Sequence, residues 1–353
     1  MRVRAINHYK HVHETKENLD WADLVTLDFG LFAQAGGKEE LAKQLDQAVR
    51  NVGFFSVTNF NISQDEIDEQ FALAREFFAL PLEEKLEYHN IKDLQNGEHT
   101  GYTPAGHRIV GNGIGDNVQR YNIPKFDGYH QTQQPPVFAN NIAAIEAFKL
   151  PDEDQLIHDH KYNDRGEDHL YYLHYAARSA DENRRAGNHY GLGHTDLGTV
   201  TLLFPQPVAG LQILNAAGQW KWVRPQEGTI TVNAADALTA LSGGLIKSSI
   251  HRVSVPPSDQ AHVDRLSVLY FARPNNHVIL NPIQNSPVLK RLGLVQNAFT
   301  DLGLHLTVQE WVKVRQAQQN RRRMDGKLAA DGTYTCPEDS LEILPGLHAK
   351  VYN

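Results

Sequence analysis

The sequence predicts a mainly β fold with α additions, on three observations. Six strand-like segments follow one another between residues 199 and 272: Thr199-Val-Thr-Leu-Leu-Phe204, Gly210-Leu-Gln-Ile-Leu214, Trp220-Lys-Trp-Val223, Thr229-Ile-Thr-Val232, Lys247 to Val255, and Arg265 to Ala272. Many short strands at this spacing argue for a double-sheet jelly roll or barrel. The first hundred residues instead alternate strand and helix patterns. No internal repeat, low-complexity tract or linker divides the 353 residues, so we expect one domain. Within it, an N-terminal α/β region with a loop spans 20–137, the jelly-roll core 165–280, and a C-terminal helical extension 281–353.

Each element has a local cause. Val25-Thr-Leu-Asp-Phe29 alternates as a short strand. Leu41, Leu45, Ala48, Val49 and Val52 fall on one helical face, Gly53 ends that helix, and Phe54-Phe-Ser-Val-Thr58 reads as a second strand. Ser63-Gln-Asp-Glu66 is a capping box, in which the serine side chain takes one orphan N–H and the glutamate reaches back to another. The helix it opens presents Ile67, Phe71, Ala74 and Phe78 and closes at Leu80-Pro81. From Ile91 to Pro136 the pattern is irregular and rich in Gly, Asn and His. A helix over Phe138 to Phe148 stops at Leu150-Pro151, since proline cannot continue a helix interior. His158 and His160 sit in an acidic, loop-like setting and read as surface histidines. Ala216-Ala-Gly218 is a hairpin turn. Thr307-Val-Gln-Glu310 is a second capping box, whose helix runs toward Arg321-Arg-Arg323, where cations complement the macrodipole.

With 41% hydrophobic and 22% charged residues, the chain has an ordinary globular composition. Its net charge of −8 argues against nucleic acid or an anionic membrane as main partner. No apolar run approaches a membrane span, and no signal-peptide pattern opens the sequence. The single cysteine, Cys336, excludes an internal disulfide framework and fits a reducing, cytoplasmic setting. The sequence does not set an oligomeric state.

The chemistry concentrates in Tyr190-Gly-Leu-Gly-His194-Thr195-Asp196, read with His251 in Ser248-Ser-Ile-His251-Arg-Val-Ser-Val and with Arg265-Leu-Ser267. On a strand, residues i and i+2 share a face, so His194 and Asp196 would aim at one spot. Two histidines and a carboxylate on one face of Fe(II) leave the opposite face open, which suits oxygen activation. Arg265 and Ser267 repeat the i, i+2 spacing and could present a guanidinium fork and a hydroxyl to one carboxylate.

In this order, each on a strand-like segment, these pieces resemble the Fe(II)/2-oxoglutarate-dependent oxygenases of the isopenicillin N synthase-like branch. The resemblance covers roughly residues 20–280 and includes Val52-Gly-Phe-Phe-Ser-Val, Phe77-Phe-Ala-Leu-Pro-Leu-Glu-Glu-Lys85, Leu170-Tyr-Tyr-Leu-His174-Tyr175, Asn233-Ala-Ala-Asp236-Ala-Leu and Lys247-Ser-Ser-Ile-His251-Arg-Val. It implies a double-stranded β-helix (jelly roll) core with supporting helices. It implies that His194, Asp196 and His251 hold Fe(II) and that 2-oxoglutarate chelates the metal. Arg265, Ser267 and Tyr175 would bind its 5-carboxylate. Dioxygen would be the other cosubstrate, and the outcome the oxidation, usually hydroxylation, of a small specialised metabolite with decarboxylation of 2-oxoglutarate to succinate. Tyr102, His107, Arg120 and Tyr121 match the family's substrate-facing loop and strand, and Phe204 and Phe271 lie where side chains could line a pocket.

The chain departs from the family at three places. The helix over 138–148 is short. Tyr-Pro-Pro is here Tyr175-Ala-Ala, a less rigid turn, and the glycine before Asp236 is Ala235, where a positive φ would cost alanine more. Three alternatives stay open: an oxidase of the same branch that dispenses with 2-oxoglutarate, a non-catalytic jelly-roll binding protein, and a zinc hydrolase, although no His-Glu-x-x-His motif is present.

Overall fold

The computed structural model describes residues 8–90, 100–106, 109–111, 114–125, 159–161, 164–325, 327–328, 334–335, 340–345 and 347–350. His107, His158, Cys336 and the helix expected over 138–148 lie outside them. The N-terminal region forms β1 (Thr26–Asp28), α1 (Gly37–Asn51), β2 (Phe54–Thr58), α2 (Gln64–Phe78) and α3 (Leu82–Leu86). Then come β3 (Gly101–Thr103), β4 (Ile109–Gly111), β5 (Ile114–Gly115) and β6 (Val118–Pro124). The core runs β7 (His169–Tyr175), α4 (Ala180–Arg185), β8 (His189–His194), β9 (Val200–Leu203), β10 (Leu211–Leu214), β11 (Trp220–Trp222), β12 (Ile230–Ala234), α5 (Asp236–Leu241), β13 (His251–Ser254) and β14 (Arg265–Ala272). After it come α6 (Pro287–Leu292), α7 (Ala298–Asp301), α8 (Val308–Asp325) and two short hairpins.

Two sheets make the jelly roll. The larger has eight strands in the order β1-β2-β12-β9-β14-β7-β6-β3, and the smaller four, β11-β10-β13-β8. Of the strand expected over Lys247 to Val255, His251–Ser254 forms β13, with Ile250 O and Val255 N–H bonded at its two ends.

The N-terminal helices form as their local signals dictate. Gly53, at φ 75°, turns the chain out of α1, with its N–H 2.9 Å from Ala48 O. Leu41, Ala48 and Val49 are buried, while Leu45 lies at the edge of that face, 38% exposed. At the start of α2, Ser63 N–H donates to Glu66 Oε2 at 2.7 Å and Glu66 N–H to Ser63 Oγ at 3.3 Å. Phe71 and Phe77 are wholly buried, each burial stabilising the fold by roughly 1.5–3 kcal/mol.

The large sheet uses its two faces differently, as the period of two requires. Phe55 and Val57, Tyr121 and Ile123, Leu170 and Tyr172, Ile230 and Val232, and Leu266 and Val268 join one apolar core with Phe71 and Phe77 of α2. The alternate residues, among them Phe54, Arg120, Leu173, Tyr175, Thr201, Asn233, Arg265, Ser267 and Phe271, belong to the opposite face. That face meets the small sheet, as Phe54 packing edge-on to His251 and Thr201 and Asn233 bonding Asp196 show. A second core of Leu241, Leu280, Phe299, Val308, Trp311 and Val312 packs α5, α7 and α8 together. No helix among the described residues is long and apolar enough to cross a membrane.

Candidate active site

β8 and β13 pair with His194 opposite His251, so their rings stand 4.4 Å apart at the ends of neighbouring strands. Asp196, two residues beyond β8, closes the group. Its Oδ1 lies 3.8 Å from His194 Nε2 and 3.6 Å from His251 Nε2. One ligand atom from each residue lies within 4.8 Å of the others, so the three could hold one metal ion.

Their remaining atoms are tied back. Nδ1 of His194 lies 2.9 Å from Leu192 O, and Nδ1 of His251 lies 3.1 Å from Ser249 O. A carbonyl only accepts, so each Nδ1 carries the proton and each Nε2 keeps its lone pair. Asp196 Oδ2 accepts from Thr201 Oγ1 at 2.6 Å and from Asn233 Nδ2 at 2.9 Å, leaving Oδ1 toward the imidazoles. Burial pushes the Asp196 carboxyl up, but the imidazolium forms of His251 and His194, with the Thr201 and Asn233 bonds, hold it below the usual carboxylate range when the histidines are protonated. Two imidazole nitrogens and one carboxylate oxygen are the donor set of non-haem Fe(II) oxygenases, so the residues fit the metal the resemblance implies.

The turn carrying Asp196 is braced from behind. Thr195 Oγ1 donates to Asp236 Oδ2 at 3.1 Å, Arg315 of α8 lies 3.5 Å from the same oxygen, and Asp236 N–H donates to Asp196 O at 2.9 Å. Burial raises the Asp236 carboxyl even against the pull of Arg315. Ala235 has φ −128°, ordinary extended backbone, so the missing glycine costs nothing there.

On the face of the large sheet that meets the small sheet, the side that would line a cavity between them, stands Arg265, beside a recess it shares with Phe204, Gly210 and Leu211. It is 4% exposed, its Nε donates to Val208 O at 3.2 Å, and its Nη1 donates to Ser267 Oγ. Burial pushes the guanidinium below its usual range, with Tyr175 and Tyr190 opposing. Gly210 makes room for it, since a Cβ there would lie 3.0 Å from Arg265 Nε and 3.2 Å from Cδ. Tyr175 pairs with Arg265 across β7 and β14, its ring centre 5.6 Å from the guanidinium carbon. The turn after Tyr175 is pinned by alanine amides. Ala176 N–H donates to Asn117 O at 3.0 Å and Ala177 N–H to Asp264 Oδ1 at 2.8 Å, bonds no proline could make.

The other expected contacts divide. Phe271 is half-buried, packs edge-on to Tyr171 at 4.7 Å, and pairs with Thr201, whose hydroxyl holds Asp196. Arg120 lies on the cavity-facing side opposite Leu173, with Nη2 2.6 Å from Asp116 Oδ2. The structure does not bring Tyr102 or Tyr121 to the cavity. Both are 1% exposed and pack against Phe77 beneath α2, at 5.9 Å and 4.4 Å. Burial pushes the Tyr102 hydroxyl up to about 12, as suits a neutral core group. Phe204 is 6% exposed and joins that core, although its ring also borders the recess beside Arg265. His160, expected on the surface, is half-buried with Nε2 2.7 Å from Thr199 Oγ1.

Sequence reasoning missed Thr201, Asn233, Asp236 and Arg315. Thr201 and Asn233 share a paired position on β9 and β12, a cross-strand relation that no spacing in the chain announces.

Residues 23–146 match the family described as the N-terminal part of non-haem dioxygenases in morphine synthesis, and residues 168–274 match the 2OG-Fe(II) oxygenase superfamily. A 2-oxoglutarate-Fe(II) type oxidoreductase of Emericella nidulans is 29% identical over 286 residues, covering 71% of this chain and 80% of its own. Homoarginine-6-hydroxylase of Arabidopsis thaliana is 29% identical over 280 residues, covering 71% and 82%. The fold resembles the crystal structure of a full-length Neurospora crassa protein in complex with alpha-KG, with 24% identity, a TM-score of 0.69, and coverage of 87% of this chain and 100% of that one. The match over 168–274 contains the whole His194–Asp196–His251 group, and the chain belongs to the 2OG-Fe(II) oxygenase superfamily as an Fe(II)- and 2-oxoglutarate-dependent dioxygenase.

Proposed function

We propose that His194, Asp196 and His251 hold Fe(II), that Arg265 with Ser267 and Tyr175 binds the 5-carboxylate of 2-oxoglutarate, and that the protein hydroxylates a small specialised metabolite. The observation that carries this reading is the guanidinium of Arg265. It is buried, and among the described residues no carboxylate lies within ion-pair distance of it. An unpaired buried charge is costly, so a position of this kind is explained by a ligand that brings the counter-charge.

Bound iron supplies oxidation by dioxygen coupled to decarboxylation of 2-oxoglutarate to succinate. The chain's residues do the rest. The Leu192 and Ser249 carbonyls keep both Nε2 atoms unprotonated, and Thr201 and Asn233 orient the Asp196 carboxylate. Ser267 fixes the Arg265 fork through its hydroxyl. The half-buried side chains of Phe271 and Tyr171 supply an aromatic wall for the substrate, and Arg120, paired with Asp116, a polar flank. The activities named for the relatives, oxidoreductase and homoarginine hydroxylase, support a small substrate. A chain whose single cysteine is Cys336 suits a reducing, cytoplasmic location.

The test needs no substrate. Fe(II) and then 2-oxoglutarate are added without oxygen, and the weak visible charge-transfer band of a chelated 2-oxo acid is sought. The band should form and be lost in Asp196→Ala. Iron binding without a band would put the 2-oxoglutarate-independent oxidase in its place.

A further inference from the structure

We propose that Arg178 and Tyr190 are positioning residues for cosubstrate recognition: through Tyr175 they hold Arg265, the guanidinium that reads the distal carboxylate. This rests on the 2-oxoglutarate reading of Arg265.

Four side chains form a continuous series. The guanidinium carbon of Arg178 lies 5.0 Å from the ring centre of Tyr190. The Tyr190 and Tyr175 rings are stacked, with centres 5.9 Å apart and planes at 10°. Arg265 follows, 5.6 Å from the Tyr175 ring centre. Tyr190 is 1% exposed and Tyr175 7%, so both rings meet the cations away from bulk water, where a cation–π contact is strongest. Arg178 is held by one hydrogen bond, Nη2 to His189 O at 2.6 Å. Its buried Nε and Nη1 have no hydrogen-bond partner among the described residues, and the charged group lies against the Tyr190 ring with Glu182 and Asp116 as its nearby carboxylates.

The series joins the two sheets. Tyr190 lies on β8, four residues before His194, whereas Tyr175 and Arg265 lie on paired strands of the large sheet. A ligand that reaches from the histidines to Arg265 spans the same two sheets, so the stack sets the separation that ligand must match. The turn beyond Tyr175 is held by its alanine amides, and the Tyr175 ring itself is held by its stacked neighbour Tyr190.

The experiment titrates Fe(II)-loaded protein with 2-oxoglutarate without oxygen, following the visible band, in Arg178→Met, Tyr190→Leu and Tyr190→Phe. Binding of 2-oxopentanoate, which lacks the distal carboxylate, and of Fe(II) is measured alongside. Arg178→Met and Tyr190→Leu should weaken 2-oxoglutarate binding about three- to tenfold, the size of a partly desolvated cation–π contact. They should leave 2-oxopentanoate and Fe(II) binding unchanged, and Tyr190→Phe, which keeps the ring, should bind like the parent. The inference is overturned if Arg178→Met and Tyr190→Leu bind 2-oxoglutarate as tightly as the parent, or if they lose 2-oxopentanoate and Fe(II) binding to the same degree. It is also overturned if Tyr190→Phe is as weak as Tyr190→Leu, since the hydroxyl would then be responsible. A parent protein that forms no band refutes the 2-oxoglutarate reading itself, whereas a parent band with unshifted variants refutes the stack alone.

Discussion

At the His194–Asp196–His251 end of the cavity, orientation comes from hydrogen bonds, and the two histidine bonds are local. Each imidazole Nδ1 bonds the carbonyl two residues earlier in the chain. At the Arg265 end, hydrogen bonds to Val208 O and Ser267 Oγ are joined by cross-strand and cross-sheet contact: a ring from β7, a second ring from β8, and a glycine from the loop before β10 that leaves space. The first kind of site tolerates sequence drift around it as long as the strand survives. The second depends on several elements packing correctly at once. The metal end should therefore respond to substitution steeply and at few positions, and the arginine end more gently and at many.

The largest expected effect is at the metal end. Asp196→Ala removes one of three donors, so Fe(II) binding should fall by more than the roughly 10–100-fold that losing an outer partner costs, and turnover should fall to background. Anaerobic Fe(II) titration checks it, and full activity in this variant would break the site assignment. Arg265→Ala should come next, raising the 2-oxoglutarate requirement by on the order of a hundredfold, as for one partner of a buried charge pair, with Fe(II) binding intact. Thr201→Val tests the outer bonds. It removes the 2.6 Å donor to Asp196 Oδ2 and should weaken Fe(II) binding about tenfold. No change there would mean that Asn233 alone orients the carboxylate.

The same contrast explains what could be read from the sequence. The strands from 199 to 272, both capping boxes and the grouping of His194, Asp196 and His251 follow from local periodicity, spacing and resemblance. Whether a strand residue faces the helices or the cavity does not. Tyr121 and Arg120 are neighbours on β6, and alternation guarantees that they part, but only the packing of α2 against Tyr121 decides which one turns inward. Arg315 was equally hidden, because it comes from α8 and reaches Asp236 only through the packing of the second core.

A pH experiment probes β8, which touches both ends. Burial, with Arg252 beside it, pushes His189 down to about 4 from an ordinary 6.5. The folded form therefore holds fewer protons than the unfolded chain between those values. Its stabilising contribution is complete above pH 6.5 and is lost as pH falls toward about 4. Thermal melts over that range should show stability declining with acid, and less steeply in His189→Asn. An unchanged slope would remove His189 from the account of how β8 is held.

The smallest and sharpest test restores the family's proline. Xaa→Pro at a compatible position usually stabilises by about 0.4–1 kcal/mol through the unfolded chain. Ala177→Pro would also delete the N–H that donates to Asp264 Oδ1 at 2.8 Å, a bond worth about 1 kcal/mol or more with a charged acceptor. The two effects oppose each other, so the sign of the change in melting temperature decides between them. If this turn depends on its amide, Ala177→Pro lowers the midpoint and loosens 2-oxoglutarate binding a little. In an Asp264→Ala background, where that acceptor is gone, the same proline should cost less. If Ala177→Pro raises the midpoint in both backgrounds, the amide contributes nothing, ring rigidity would serve as well, and the arginine end is as locally determined as the metal end.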